Sequence, residues 1–244
     1  MQLEFLVLPE LKINDWPEFS AELVTRLIAV IKQKPIKKLE LTEIHLTSAV
    51  TEALGQLLRE LSALKTLRIS GLVKCSDDAV TKLVFAIKHK TLEELELFVM
   101  NLTSTVAESL AQSLPELSAL RTLRVSGLIE CSDEAFTKLV TTIKHKTLEE
   151  LELSKINLTS AVAGALSQWL PKLSALKILK ISCVPDCSDE ALTRLLAANK
   201  HKTLEELQLS KMSLTSAAVV ALCQSLPELP CLQKLNISGS VLCS

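Results

Sequence analysis

The segment Leu92-Glu93-Glu94-Leu95-Glu96-Leu97 is the clearest repeated motif of this sequence. It returns unchanged at 148–153 and with one substitution at 204–209, so successive copies are 148 − 92 = 204 − 148 = 56 residues apart. Related segments begin halfway between the copies, at Leu64, Leu120 and Leu176. The repeating unit is therefore 28 residues long and occurs in two alternating forms.

The same pattern extends toward both ends of the chain. Leu8-Leu11-Ile13 and Ile36-Leu39-Leu41 precede the clear copies, and Leu232-Leu235-Ile237 follows them, which gives nine units. Each unit has the pattern L-x-x-L-x-L, whose final alternation is typical of a short strand. The apolar side chains of such a strand point inward and the x positions point outward.

A helix start follows each predicted strand. Hydroxyl residues suited to capping a helix occur at Thr47-Ser48, Ser76, Thr103-Ser104, Ser132, Thr159-Ser160, Ser188 and Thr215-Ser216. A helical apolar rhythm then follows, as in Val106, Leu110, Leu114 and Leu117. One strand and one helix cannot cover their own apolar side, so neighbouring units must stack into a continuous core. We therefore predict an α/β solenoid over residues 1–244, a single horseshoe of about nine units with a parallel sheet on its concave side and helices on its convex side.

A strand and a helix repeating at 28 residues are the long form of the leucine-rich repeat. The chain resembles the ribonuclease-inhibitor type of this family, and within it the C-terminal sensor region of NOD-like innate immune receptors. The resemblance covers all nine units and implies a cytoplasmic, non-catalytic module that recognises a protein or microbial ligand. A regulatory scaffold or an enzyme-inhibiting leucine-rich-repeat protein is the alternative. The chain departs from the family at the position that usually holds Asn or Cys, where it has Ile44, Leu72, Met100, Leu128, Ile156, Val184 and Met212.

Composition and motifs narrow the classes of function. The formal net charge is −1 at pH 7, which predicts no bulk affinity for nucleic acid or for an anionic membrane. No run approaches the roughly 18 apolar residues that cross a bilayer. No P-loop, nucleophile elbow, H-E-x-x-H motif or dinucleotide fingerprint occurs, so neither an enzymatic activity nor a cofactor is expected.

Cysteine usage indicates a reducing compartment. Cys75, Cys131, Cys187 and Cys243 are 56 residues apart, so they lie two units from one another. At strand spacing that is about 10 Å, beyond the reach of a disulfide, and we interpret them as buried apolar residues rather than a metal site. Cys183 is expected on the concave face. The odd total of seven cysteines favours a cytoplasmic location, although the sequons at Asn101, Asn157 and Asn236 leave glycosylation and secretion as the alternative.

The histidines form a second column at the same spacing. His89, His145 and His201 each lie in a Lys-His-Lys segment after a predicted helix. Cations are favoured at the C-terminal end of a helix, so we interpret these segments as structural. A basic ridge for an anionic partner is the alternative.

The outward strand positions carry alternating charge. Parallel neighbours place matching positions about 4.8 Å apart. We therefore expect one row across the sheet formed by Arg68, Glu96, Arg124, Glu152 and Lys180. Such charges should mostly satisfy one another, which makes the face a poor attractant for RNA or DNA.

Departures from the repeat identify the candidate binding site. One unit has Phe98-Val99. The sister units, which are the equivalent units 56 and 112 residues later, have Ser154-Lys155 and Ser210-Lys211 at the same position. Binding energy concentrates on a few apolar anchors ringed by polar groups. We therefore predict a ligand-binding site with Phe98 and Val99 as anchors, ringed by Arg68, Glu96, Arg124, Glu152, Lys155 and Lys180. Neutral drift is the alternative interpretation, and Trp169, expected on the convex side, is the second candidate.

The two ends of the repeat array have no polar capping unit. Uncapped solenoid ends expose core residues. We therefore expect either a fragment of a longer chain or self-association through these ends.

Overall fold

The computed structural model describes residues 8–14, 19–31, 34–44, 46–71, 73–74, 76–88, 90–99, 102–143, 146–184, 189–197 and 202–241. Its main sheet has nine strands within these ranges, in the order β1-β2-β4-β6-β7-β8-β9-β10-β11. Their bounds are β1 Glu10–Asn14, β2 Lys38–Thr42, β4 Thr66–Gly71, β6 Glu94–Val99, β7 Thr122–Ser126, β8 Glu150–Ile156, β9 Ile178–Cys183, β10 Glu206–Leu214 and β11 Lys234–Val241. A second, two-stranded sheet pairs β3 (Leu46–Thr47) with β5 (Val73–Lys74).

Every pair of neighbouring strands in the main sheet is parallel and offset by one repeat. Leu11 lies opposite Leu39, Leu39 opposite Leu67, and Leu207 opposite Leu235. The sequence period therefore sets the register directly. The predicted parallel sheet and its strand order are confirmed.

Helices connect the strands along one side of the sheet. Within the described ranges they are α1 Ala21–Ile31, α2 Ser48–Glu60, α3 Asp77–Ile87, α4 Ser104–Ser113, α5 Asp133–Thr142, α6 Ser160–Trp169, α7 Asp189–Ala197 and α8 Ser216–Ser225. Short 3₁₀ turns follow α4, α6 and α8, and another, Leu128–Glu130, follows β7. Helices pack about 8–10 Å apart and strands about 4.8 Å apart, so the stack curves with the sheet on its inner side.

The predicted hydroxyl caps are present. Thr47, Ser76, Thr103, Ser132, Thr159 and Thr215 each accept a hydrogen bond from the backbone N–H three residues later. Some caps also join neighbouring units, because the Thr103 hydroxyl donates to Asp77 and the Thr159 hydroxyl donates to Asp133, both at 2.7 Å. Ser188 lies outside the described residues.

The core is one continuous apolar cluster. At the matching position of seven consecutive strands the side chain is at most 1% exposed, and these residues are Leu39, Leu67, Leu95, Leu123, Leu151, Leu179 and Leu207. The apolar residues at the family's Asn or Cys position are buried at Ile44, Leu128, Ile156 and Met212. Some loop backbone N–H groups instead find hydrogen-bond partners in the next unit. Leu102 N–H donates to the Gly127 carbonyl, and Gly127 N–H donates to the Ser154 carbonyl.

Two residues that we expected at the surface lie in the core. Trp169 is 2% exposed, and its indole N–H donates to the Ile143 carbonyl at 2.7 Å. It therefore closes the C-terminal end of α5 in the preceding unit and is not a convex surface residue. Cys183 is 1% exposed because it continues the inward alternation of Leu179 and Ile181.

The cysteine and histidine columns are only partly described. Cys131 is half-buried, and burial, followed by the charges of Asp133 and Glu108, raises the pKa of its thiol to about 11. Cys75, Cys187, Cys243, His89, His145 and His201 lie outside the described residues.

Candidate recognition surface

The sheet face opposite the helices carries four rows of side chains that run across the strands. The first row is Lys12, Glu40, Arg68, Glu96, Arg124, Glu152, Lys180, Gln208 and Asn236. The second row is Glu10, Lys38, Thr66, Glu94, Thr122, Glu150, Ile178, Glu206 and Lys234. The third row, one residue earlier, is Lys37, Lys65, Glu93, Arg121, Glu149, Lys177, Glu205 and Gln233. The serine row, two residues after the first, is Ser70, Phe98, Ser126, Ser154, Ser182, Ser210 and Ser238.

The first row contains the alternating charges that the sequence predicts, and it extends beyond them to Glu40 and Lys12. Arg68 Nη1 lies 2.9 Å from a Glu40 carboxylate oxygen, and Arg68 Nε lies 3.5 Å from Glu96. Lys12 Nζ and Lys38 Nζ also form ion pairs with the Glu40 carboxylate, at 3.0 and 2.8 Å. This end of the row is therefore fully neutralised.

Arg124 is at the centre of a larger cluster. Its guanidinium donates to Glu96 at 2.9 Å, to Glu150 at 3.0 Å and to Glu94 at 3.3 Å. The nearest oxygen of Glu152, its predicted neighbour in the first row, is 3.9 Å away. The Arg124 side chain is 22% exposed, so these bonds are partly shielded from water.

Both arginines also contact carboxylates of the second row, and for Arg68 this contact is the shortest. Arg68 Nη2 donates to Glu94 at 2.7 Å, although these residues are 26 rather than 28 positions apart. Lys180 likewise pairs with Glu150 at 3.4 Å and Glu206 at 4.0 Å. Sequence reasoning placed Glu94 and Glu150 on this face but missed their role as arginine partners. A search for opposite charges at a separation of 26 would have found them.

The third row is more exposed and is paired within itself. Lys65 contacts Glu93 at 3.0 Å, and Glu149 accepts hydrogen bonds from Arg121 and from Lys177. These two hydrogen bonds hold the pKa of Glu149 below its ordinary value of 4.5, and the bond from Arg121 has the larger effect. A shallow groove of about 370 Å³ runs along the second and third rows, with Thr66 and Ile178 among its lining residues.

The three charged rows are neutral in sum. They hold ten acidic and ten basic side chains, which are those of the residues named above. From β4 to β10, neighbouring strands carry opposite net charge in these rows, while the face as a whole has no net charge. Such a face gives little long-range attraction and favours a ligand whose own charges match in register.

Phe98 is the one aromatic residue in the serine row. It lies between Ser70 and Ser126 on the neighbouring strands and is half-buried. Ser126 is buried to 6% exposure, whereas Ser154 and Ser182 are half-buried. Phe98 therefore lies at an outward strand position, as the sequence predicts, with its side chain half-buried.

The two neighbours of Phe98 in the predicted site have different positions. Val99 ends β6 with its backbone opposite Gly71, and its side chain lies outside the described part of the chain. Lys155, the equivalent residue two units later, has φ 55° and is skipped by the register between Ser154 and Ile156. It is thus an exposed bulge residue and not a flat outward strand position.

Two further findings concern other kinds of site. Across the described ranges, no three His, Cys, Asp or Glu side chains are grouped so as to hold a metal ion. No helix in the same ranges is both long enough and apolar enough to span a bilayer.

The fold is similar to that of a solved bacterial repeat protein. The leucine-rich repeat-containing protein LegL7 from Legionella pneumophila aligns with 94% of this chain and 83% of its own, at 17% identity and a TM-score of 0.53. The chain has the leucine-rich-repeat fold. The solenoid also aligns with a structure of the Rad7 and Elc1 complex in yeast, over 94% of this chain and 69% of that one, at 20% identity. The TM-score of that alignment is 0.42. No protein-family model matches the sequence.

Proposed function

We propose that this solenoid is a non-catalytic recognition module that binds a protein or microbial ligand on the open face of its sheet. Its proposed setting is the sensor region of a cytoplasmic NOD-like innate immune receptor, or a relative made of leucine-rich repeats alone. The leucine-rich-repeat fold supports the first statement, because a curved sheet offers an extended binding surface. The resemblance of the repeat sequences supports the second.

The observation that carries the proposal is Phe98. It replaces serine in a row that is otherwise serine from Ser70 to Ser238. The inner side of its strand is already filled by Leu95 and Leu97, which are 0% and 5% exposed, so the ring is not needed for the core. An apolar side chain surrounded by hydroxyls and paired charges has the composition of an interface anchor.

The surrounding charges provide specificity in this proposal. Arg68, Glu96, Arg124, Glu152 and Lys180 hold fixed positions because each is paired within the face. The shallow groove lies over the second and third rows, four residues or about 13 Å along the strand from Phe98. A ligand segment that runs along β6 would contact both the ring and the groove.

Photo-crosslinking tests the proposal while the ligand is still unidentified. A benzoylphenylalanine at position 98 should capture a partner from the native cell extract, whereas the same group at Ser154 should capture less of it. The captured partner is then titrated against purified wild type and the variant Phe98→Ser, which has the residue of the sister units. We expect at least about a fivefold loss of affinity, the size expected of an interface anchor. Equal affinity of wild type and variant would contradict the assignment of the site.

The innate immune setting needs a separate test. We expect the complete transcript to encode a nucleotide-binding domain before the repeats, or the recovered ligand to be of microbial origin. If neither is found, the recognition module has no immune role. The binding result for Phe98 would be unaffected.

A further inference from the structure

A second surface lies on the helix side, at Phe85. The exposed large apolar residues among those described are Val30, Phe85, Val219, Val220 and Leu235. Val30 is on the first helix, and the last three lie on α8 and β11, at the opposite end of the stack. Phe85, which is 43% exposed on α3, is therefore the member of this set with stacked units on both sides.

Phe85 departs from the repeat at a position that faces solvent. The equivalent residues 56 positions before and after it are Ala29 and Thr141, and both are exposed. The Thr141 hydroxyl returns a hydrogen bond to its own helix, at the Thr137 carbonyl. Because small or polar residues suffice at this position, a phenyl ring has no packing role there.

The ring lines a groove whose other residues are cationic or small. The groove has a volume of about 420 Å³ and lies between α2 and α3, and its lining residues are Arg59, Lys82, Phe85, Ala86 and Lys90. Arg59 is also a departure from the repeat, because sister units have Pro115, Pro171 and Pro227 at this position. Two unusual residues from different units thus meet in one groove.

The three cations of the groove are not equivalent. Lys90 donates to the backbone carbonyls of Arg59 and Leu61 at 3.2 and 3.1 Å, so it caps the end of α2, and burial lowers its pKa. Lys82 is paired with Asp78 and Glu52 at 2.9 and 3.1 Å.

Arg59 is the cation available to a ligand. It has no ion-pair partner within the ranges that the structure describes. Glu60 also lies near this groove, and its charge acts on Lys90. The unpaired guanidinium can bind a carboxylate of a ligand, and the exposed ring beside it can contact an apolar side chain.

We propose that this groove docks an acidic segment of a partner protein, with a carboxylate on Arg59 and a neighbouring large apolar side chain on Phe85. Charge complementarity favours an acidic partner, and the ring favours one that also carries an apolar group. A nucleic acid fits less well, because Glu52 and Asp78 flank the groove and repel a continuous polyanion. The surface is on the opposite side of the solenoid from the Phe98 site, so one chain could hold two partners.

Peptide selection tests the chemistry directly. A phage library of random twelve-residue peptides is first depleted on the double variant Phe85→Thr, Arg59→Gln and then selected on wild type. We expect the selected peptides to be enriched in Asp or Glu next to Leu, Ile, Phe or Trp. No enrichment, or enrichment of basic peptides, overturns the proposal, as does an oligonucleotide that binds wild type more tightly than the best peptide.

The best peptide is then titrated against single variants. Phe85→Thr and Arg59→Gln should each weaken its binding at least about fivefold, while Phe98→Ser should leave the affinity unchanged. Thr141→Phe is the matched control, because it places a ring at the equivalent position beside Pro115 and should bind no second peptide. Since all these positions are exposed except Phe98, the variants should keep the wild-type circular dichroism spectrum. Equal affinity of the Phe85→Thr variant and wild type would overturn the site, whereas a loss with Phe98→Ser would place the peptide on the sheet.

Discussion

Arg124 shows how single side chains hold the charged face together. Its one positive charge lies among the carboxylates of Glu94, Glu96, Glu150 and Glu152, at distances from 2.9 to 3.9 Å. Isolated ion pairs on a surface contribute little to stability, but a half-buried network of this kind contributes more. The residue therefore offers a direct test of the predicted register.

Arg124→Glu should destabilise the protein by about 1–3 kcal/mol at low salt, because it adds a fifth carboxylate to the four around it. The loss should shrink in 1 M salt, where the screening length falls to about 3 Å. Arg124→Gln, the matched control, removes the attraction without adding charge and should show a smaller loss with a smaller salt dependence. Thermal melts at both salt concentrations measure these effects, and an unchanged low-salt melt of Arg124→Glu would contradict the arrangement.

The lowered pKa of Glu40 should make the stability of the folded protein depend on pH. Burial raises the pKa of this carboxyl, but hydrogen bonds from Lys38 and Lys12 outweigh that effect and hold the pKa below 4.5. A group with a lowered folded-state pKa stabilises the protein above its unfolded-state pKa and loses that contribution as pH falls. Wild type should therefore exceed Glu40→Gln in stability at pH 7, and the difference should shrink between about pH 5 and pH 3. Urea denaturation across this range measures it, and a difference that does not vary with pH would be the contrary result.

At the scale of single elements, Trp169 explains how one helix end is closed. Its indole donates to the Ile143 carbonyl while the ring is 2% exposed. The equivalent Ser113 is also buried, and its hydroxyl has no hydrogen-bond partner among the residues that the structure describes. The position is thus an inner one in both units, and only the size of the side chain differs.

Trp169→Ser should cost about 3–5 kcal/mol, because it leaves a cavity in the core. Trp169→Phe keeps most of the volume and should cost about 1–3 kcal/mol, since the Ile143 carbonyl then lacks its donor. Ser113→Ala, the control, removes a buried hydroxyl without a partner and should be neutral or slightly stabilising. Chemical denaturation followed by circular dichroism compares the three, and a Trp169→Ser variant as stable as wild type would show that the ring is not in the core.

The same elements show what the sequence could predict. The 28-residue period determines the strand order and places Arg68, Glu96 and Arg124 in one row, since parallel pairing of equal units leaves one register. The burial of Trp169 was also predictable, because Val162, Leu166 and Trp169 continue the helical rhythm in steps of four and three. The inward direction of Cys183 follows in the same way from the alternation of its strand.

Other features depend on local geometry that the pattern does not contain. The reach of Arg68 to Glu94 depends on the direction of a long side chain across a twisted sheet. The bulges at Lys155 and Lys211, with φ of 55° and 57°, depend on backbone shape at the strand end. The half-buried position of Phe98 depends on its neighbours, which periodicity alone does not describe.

At the scale of the whole molecule, apolar surface remains uncovered where the stack begins and ends. Val30 is 71% exposed on α1, while Val219, Val220 and Leu235 are 41–55% exposed at the other end. β1 and β11 are the edge strands of the sheet. Stacking of one copy on the next would cover both ends.

We therefore predict that the 244-residue protein associates in a concentration-dependent manner, because burial of these side chains is favourable. The variant Val220→Lys, Leu235→Lys should remain monomeric at concentrations where wild type associates. Phe85→Lys is the matched control, since it removes an exposed apolar residue from the middle of the stack and should not alter association. Sedimentation velocity over a range of concentrations measures this, and a wild type that stays monomeric over the whole range would argue against association through the ends.

We propose that the open face of the sheet recognises the partner, with Phe98 as the anchor. The most direct measurement is a calorimetric titration of the partner captured at position 98 against wild type, Phe98→Ser and Phe85→Thr. We expect Phe98→Ser to weaken binding at least about fivefold and Phe85→Thr to leave it unchanged. Equal affinities for wild type and Phe98→Ser would contradict it.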